Sequence, residues 1–217
     1  VIRVLLVDDH PVVRTGYKRL LEQAGDIAVV ADVSDGDAGY AAFVAQRPDV
    51  VVTDLSMAPI GGLDLIRRIA ATPTATRVLV FSMHDGAVLV RRALETGARG
   101  FLTKASAPEL LVVAVRAVHA GERYLGADVA AALREKTDFE AERLKTLSAR
   151  EFDVLRLLAE GNTAAECADA LGLSPKTVAN HQTTIKEKLG VSTSVLLAHL
   201  ALRHGLVTLP DGGTSGF

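Results

Sequence analysis

Five polar residues stand out by where they fall. Asp8 and Asp9 follow the apolar run Val4-Leu5-Leu6-Val7, and Asp54 follows Val50-Val51-Val52-Thr53. Ser82 follows Val78-Leu79-Val80-Phe81, and Lys104 follows Gly100-Phe101-Leu102-Thr103. Short aliphatic, β-branched runs bounded by polar residues read as strands buried on both faces. Each run then delivers a polar side chain to its C-terminal end, the edge of an open α/β sheet where ligands bind. If these strands are parallel neighbours, three carboxylates share one small volume, and their repulsion calls for a cation. Hard oxygen donors suit Mg2+. The Lys104 ammonium and the Ser82 hydroxyl, beside such a cluster, would bind the oxygens of a phosphoryl group carried on Asp54. The chemistry is attack of a carboxylate on phosphorus, with Mg2+ and Lys104 offsetting the developing charge.

The elements that must position these groups alternate along the first 120 residues. Strand candidates are 3–7, 27–33, 49–54, 77–82 and 100–102, with amphipathic stretches near 11–23, 36–46, 62–72, 86–96 and 107–120. Strands separated by helical stretches of this length build βαβ units. The expected fold is a doubly wound, five-stranded parallel sheet in the order 2-1-3-4-5. In the first helix, Val12, Val13, Leu20 and Leu21 mark the inner face and Arg14, Lys18 and Arg19 lie outside it, with Pro11 in the first turn.

The character changes after Gly121. Residues 122–147, with the charged run 134–143, read as an exposed connector, part helix and part tether. From Ser148 the strand signals vanish, and helical patterns cover 149–160, 164–171, 175–189 and 193–204. An all-α four-helix domain over 148–208 is expected, followed by a frayed tail over 209–217. Ser148 and Glu151 form a capping box, and Ser174-Pro175 opens the third helix with an N-cap and a proline at its first position. Phe152, Val154, Leu155, Leu157 and Leu158 are expected on the buried side of the first of these helices. The short turn around Gly172 joins the second and third into a helix-turn-helix, whose second helix can enter a major groove. Lys176, Thr177, Asn180, Gln182, Thr183 and Lys186, with Lys188 near its end, supply side chains that read base edges or hold phosphates.

Charge limits this second site. The chain carries a net charge of −2, and residues 148–205 hold six Lys or Arg against six Asp or Glu. Non-specific DNA affinity should therefore be modest, and pairing of two half-site readers would raise it. The last helix offers Val195, Leu196, Leu197, Leu200 and Leu202, more apolar residues than one face needs, and is expected to be a dimer surface.

At 217 residues, 49% hydrophobic and 23% charged, the chain has ordinary globular composition with room for two domains. A single cysteine, Cys167, excludes an internal disulfide framework and fits a reducing, cytoplasmic location. No apolar run is long enough for a membrane span, and Val1-Ile2-Arg3 enters a strand with no secretory pattern before it. The first βα turn, Asp8-Asp9-His10-Pro11, lacks glycines and would repel a dinucleotide pyrophosphate. His10 and His84 have no companion at metal-ligand spacing, and surface or helix-start roles account for them.

Asp8-Asp9, Asp54, Ser82 and Lys104, in that order and each at a strand end, resemble the receiver domain of two-component response regulators over residues 1–121. The second half resembles the LuxR-type helix-turn-helix through Leu147-Ser148-Ala149-Arg150-Glu151, Gly161, Leu173-Ser174-Pro175-Lys176-Thr177-Val178, His181, Lys188-Leu189 and Gly205-Leu206-Val207. Together they resemble a NarL/FixJ-type regulator. The resemblance implies that Asp54 accepts a phosphoryl group from a sensor histidine kinase. It implies Mg2+ on Asp9, Asp54 and the main-chain carbonyl of Ser56, with Asp8 acting through a water. Lys104 would contact the acyl phosphate, and Ser82 and Phe101 would form the switch. Phosphorylation would then favour a homodimer bound to double-stranded DNA, with no membrane partner and no enzymatic activity beyond self-phosphorylation and autodephosphorylation. Ala58 and Pro59 depart from the family pattern, which has proline at the first of these positions, whereas Gly62 keeps its place. Ala179, Thr184 and Ser194 stand where basic, Asn and Arg residues are common. Two other readings are a phosphatase that forms an aspartyl phosphate and a degenerate receiver acting through protein contacts alone. Asp54-Leu55-Ser56 lacks the second acid of haloacid-dehalogenase-like phosphatases, and all five acceptor-site positions are filled.

Overall fold

Strand and helix alternate because the sequence changes period, from buried runs of β-branched residues to amphipathic stretches with one apolar stripe. The computed structural model describes residues 1–57, 60–134 and 139–207. The departures at Ala58 and Pro59, the middle of the charged run and the tail expected over 209–217 lie outside the described residues. The chain divides into two compact units, Val1–Glu135 and Lys136–Phe217.

The first unit contains β1 (Ile2–Val7), α1 (Pro11–Gln23), β2 (Ile27–Val33), α2 (Gly36–Gln46), β3 (Val50–Thr53), α3 (Gly62–Ala70), β4 (Arg77–Ser82), α4 (Ala87–Thr96), β5 (Gly100–Thr103), α5 (Glu109–Ala120), β6 (Tyr124–Leu125) and α6 (Ala127–Arg134). The strands form one sheet in the order β2-β1-β3-β4-β5-β6, and every neighbouring pair is parallel. The five expected strands stand in the expected order, with β6 added at the edge beside β5. A two-residue strand shows no periodicity, which is why Tyr124-Leu125 gave no signal.

All residues of β3 and β5 are buried. One face of the sheet, with Val4, Leu6, Val50, Val52, Leu79, Phe81 and Leu102, packs with Leu21 of α1 and Leu111, Ala114, Val115 and Val118 of α5. In α1 the buried stripe centres on Leu21, and Tyr17 lies edge-on to Phe81 with ring centroids 4.6 Å apart. Val12, expected inside, is 86% exposed. Stepping back from Leu21 by four residues reaches Tyr17 and then Val13, so Val12 falls off the stripe. Arg14, expected outside, bends back to donate to the main-chain carbonyl of Asp8.

The second unit contains α7 (Phe139–Lys145), α8 (Ala149–Ala159), α9 (Ala164–Leu171), α10 (Pro175–Leu189) and α11 (Ser194–Arg203). Its described residues form five helices where four were expected, because α7, inside the stretch read as a connector, packs on α10. The rest of that stretch, β6 and α6, belongs to the first unit. The expected capping box of Ser148 and Glu151 is present, and Thr163 with Glu166 repeats it on α9. Phe152, Val154, Leu155 and Leu157 are buried in α8 as expected, while Leu158 is only half-buried. No helix among the described residues is long and apolar enough to cross a membrane.

Gly62 opens α3 against the loop that carries Asp54. A Cβ at Gly62 would lie 2.0 Å from the Asp54 carbonyl oxygen and 2.9 Å from Leu55 Cα, both backbone atoms that cannot swing aside. Ordinarily alanine favours a helix over glycine by about 1 kcal/mol. Here Gly62→Ala should instead destabilise the first unit by about 1–3 kcal/mol, read from its urea unfolding transition. A stabilised variant would contradict the close approach.

Candidate functional site

The loops after β1, β3 and β5 meet at one end of the sheet because those strands are parallel and β1, β3, β4 and β5 stand side by side. Asp8 and Asp54 are each only 2% exposed. The Lys104 ammonium lies between them, with Nζ 2.6 Å from Asp8 Oδ2 and 2.6 Å from Asp54 Oδ2. The other Asp54 oxygen, Oδ1, accepts from the main-chain N–H of Leu55 at 2.6 Å and of Ser56 at 3.2 Å. Asp8 Oδ1 accepts from the N–H of His10 at 2.8 Å. Ligand atoms of Asp8, Asp9, His10 and Asp54 all lie within 4.8 Å of one another.

Burial alone would push the Asp54 carboxyl up. The Lys104 charge and hydrogen bond, with donors from the Ser56 backbone and the Ser82 hydroxyl, outweigh it and hold Asp54 below the usual carboxylate range. The same pairing outweighs burial for Lys104, whose ammonium is held above its ordinary value. Asp54 and Lys104 are therefore both charged at neutral pH. Burial raises the Asp9 carboxyl; His10 and Lys104 oppose the rise and Asp54 and Asp8 reinforce it.

The structure thus brings Asp8, Asp9, Asp54, Ser82 and Lys104 to one place. Ser82 is fully buried at the end of β4, and Ser56 is in the loop that donates to Asp54. Phe101 is completely buried in β5. His10 precedes α1 at its N-cap position, the helix-start role expected of it, and its Nδ1 lies 2.8 Å from Asp9 Oδ1. His84 is buried, not at the surface, with its backbone N–H 3.5 Å from Ser82 Oγ. Thr103 escaped the sequence reading. Its buried hydroxyl lies 3.0 Å from the Ser106 hydroxyl and 2.5 Å from Asp128 Oδ2 in α6, joining the residue before Lys104 to that helix. A hydroxyl closing an otherwise apolar strand was the available signal.

In the second unit, Ser174 caps α10 by accepting from the N–H of Thr177, and Val178, Ile185 and Leu189 fix its inner side. Lys176, Asn180 and Thr183 then fall on one exposed stripe with Ala179 and Glu187. Other candidates on α10 have partners inside the domain. Thr177 Oγ1 lies 2.8 Å from Ser174 Oγ, and Gln182 Nε2 donates to Ser194 Oγ at 3.1 Å. Lys188 Nζ is 2.7 Å from Glu151 Oε2 and 2.9 Å from Oε1. Lys186 is half-buried. On α11, Leu197 and Leu200 are buried, Leu202 is half-buried, and Val195 and Leu196 are exposed.

Residues 4–116 match the family model of the response regulator receiver domain, and residues 145–201 match that of bacterial regulatory proteins of the luxR family. The chain belongs to the two-component response regulators. The response regulator UvrY of Escherichia coli strain K12 is 36% identical over 209 residues, covering 94% of this chain and 95% of that protein. The transcriptional regulatory protein UhpA of Salmonella typhimurium is 41% identical over 198 residues, covering 91% and 96%. RcsB of Salmonella enterica serovar Typhimurium, solved on promoter rprA in the presence of the phosphomimetic BeF3-, matches with a TM-score of 0.68 at 28% identity, over 92% of this chain and 97% of that one. This response regulator therefore joins a receiver domain to a LuxR-type DNA-binding domain and regulates transcription.

Within the regulator's LuxR-type domain, the pair Glu151–Lys188 ties α8 to the end of α10. Burial raises the Glu151 carboxyl, but hydrogen bonds from Lys188 and the Ser148 backbone bring it below the ordinary 4.5. A carboxyl depressed by folding contributes stability above its unfolded pKa and loses it as pH falls through the folded one. Glu151→Gln keeps an acceptor for the cap and removes the charge. At pH 7 the variant should unfold at a lower temperature than the parent, and the gap should close as pH drops below about 4.5. A gap independent of pH would show that the charge does not matter.

Proposed function

We propose that Asp54, in a receiver spanning 1–121, takes a phosphoryl group from a sensor histidine kinase. The modification controls homodimerisation and sequence-specific binding of double-stranded DNA by the domain at 148–208, with 122–147 as the connection between them. The observation that carries this reading is the Lys104 ammonium held between Asp8 and Asp54. It keeps a buried carboxylate ionised and places a cation where phosphoryl charge would develop. An Asp54 oxygen forms the new P–O bond as the P–N bond of the kinase phosphohistidine breaks, and the imidazole nitrogen leaves with the bonding pair. Lys104 turns from the carboxylate to the phosphoryl oxygens, and the Ser82 hydroxyl follows. Phe101 would complete the switch; its ring is already buried, so no turn from an exposed position accompanies the movement of Ser82. Hydrolysis of the acyl phosphate returns Asp54 and is the only turnover expected.

Three carboxylates among ligand atoms within 4.8 Å of one another make a hard donor set that fits Mg2+. Asp8, Asp9, Asp54 and the main-chain carbonyl of Ser56 would hold it. When bound, Mg2+ offsets the negative charge of the transferring group and its carboxylate neighbours.

On DNA, Lys176 would hold phosphate while Asn180 and Thr183 reach base edges from the same stripe. Thr177, Gln182, Lys186 and Lys188 would complete the contact, the second and last only by leaving Ser194 and Glu151. The exposed Val195 and Leu196 are the surface offered for pairing. RcsB, solved on a promoter with a phosphomimetic, supports both halves of the reading by similarity. Acting on DNA, the protein works in the cytoplasm.

Incubation with acetyl phosphate and Mg2+, followed by intact mass, tests the acceptor. One labile adduct should form on the parent and none on Asp54→Asn or in EDTA. An adduct that persists on Asp54→Asn would move the site elsewhere.

A further inference from the structure

At the opposite end of the sheet from Asp54, arginines from three elements line one cavity of about 270 Å3. Arg99 directly precedes β5 and Arg123 directly precedes β6. The strands pair with Gly100 opposite Tyr124, so the two arginines stand side by side on neighbouring strands. Like charges so placed repel. Neither side chain has an ion pair or hydrogen bond among the described residues, and both are exposed. Arg91 comes from α4 and donates to the main-chain carbonyl of Leu133 at 3.2 Å, which fixes the end of α6 as a wall of the same cavity. Among the described residues that line the cavity, Glu95 is the only acid, beside the guanidinium groups of Arg91, Arg99 and Arg123. Leu94, Ala98 and Leu133 give the cavity an apolar side.

We propose that this cavity binds a small phosphorylated molecule carrying a flat ring. Guanidinium forks match phosphate oxygens in pairs and also stack on ring faces, and two adjacent forks can share one anion. The volume lies just below the usual range of small-ligand sites, enough for one phosphate and one ring. The apolar wall distinguishes such a ligand from free phosphate. Because the cavity is built from α4, the β5–β6 edge and the end of α6, the ligand holds α6 against the receiver. The proposal does not depend on phosphorylation of Asp54.

The test uses the full chain, labelled with 15N, titrated with phenyl phosphate and, separately, with inorganic phosphate and with potassium chloride at matched ionic strength. Phenyl phosphate should shift the amide signals of residues 91–99, 123–126 and 133 saturably, and more tightly than inorganic phosphate. Arg99→Ala and Arg123→Ala should each weaken it about tenfold or more. Arg19→Ala, which removes an exposed charge from α1, should not weaken it. Phosphorylation of Asp54 by acetyl phosphate checks that each variant is folded. Shifts that follow ionic strength alone, that centre on residues 8–10, 54–56 and 104, or that survive in both cavity variants would overturn the proposal. Equal affinity for inorganic and phenyl phosphate would overturn its ring component.

Discussion

One ammonium between two buried carboxylates sets the terms for the receiver. Moving a charge from water into a protein costs several kcal/mol even after relaxation, and a buried pair survives only with close geometry and further hydrogen bonds. Lys104 meets Asp8 and Asp54 at 2.6 Å each. The Leu55 and Ser56 amides satisfy the outer oxygen of Asp54, and the His10 amide satisfies Asp8. Two carboxylates against one ammonium leave a negative surplus, and Asp9 adds to it. That surplus makes the site compatible with a divalent cation. The sheet supplies the rest of the constraint. Its central strands are buried on both faces, so they cannot shift without disturbing α1 and α5 on one side, and Gly62 presses α3 onto the backbone of Asp54.

The LuxR-type domain is organised by different forces. Its helices are fixed at their starts by side-chain caps on α8, α9, α10 and α11. Its interior is aliphatic around Phe152, Leu155, Val178, Ile185 and Leu200. The electrostatics of α10 are sparse. Lys188 is neutralised by Glu151, and Glu187 shares the exposed stripe with Lys176. Counterion release from so few free cations supports only weak non-specific binding. Two such domains acting together would add to what base-edge contacts on one domain supply.

Much of this was legible in the residues. Strand ends were visible because β-branched runs stop at charged or hydroxyl groups, so the gathering of five polar residues and the order of five strands could be read directly. The capping box at Ser148 and the proline start at Pro175 located α8 and α10 for the same local reason. What escaped depends on contacts distant in sequence. Lys188 looks like a DNA-facing lysine until Glu151, 37 residues earlier, is folded beside it. Thr103 gains meaning only when Asp128 arrives from α6. Tyr124-Leu125 is too short for any period, and Val12 was misplaced by one residue on the wheel, enough to turn it from core to solvent.

The central claim is that charge at Asp54 governs DNA recognition by α10. It is tested most directly by selecting fragments from a random duplex pool with the parent and with Asp54→Asn, each with Mg2+ and with or without acetyl phosphate. The account predicts that acetyl phosphate sharpens enrichment of a two-half-site sequence for the parent and changes nothing for Asp54→Asn. Equal enrichment by both proteins, with the same response to acetyl phosphate, would contradict it.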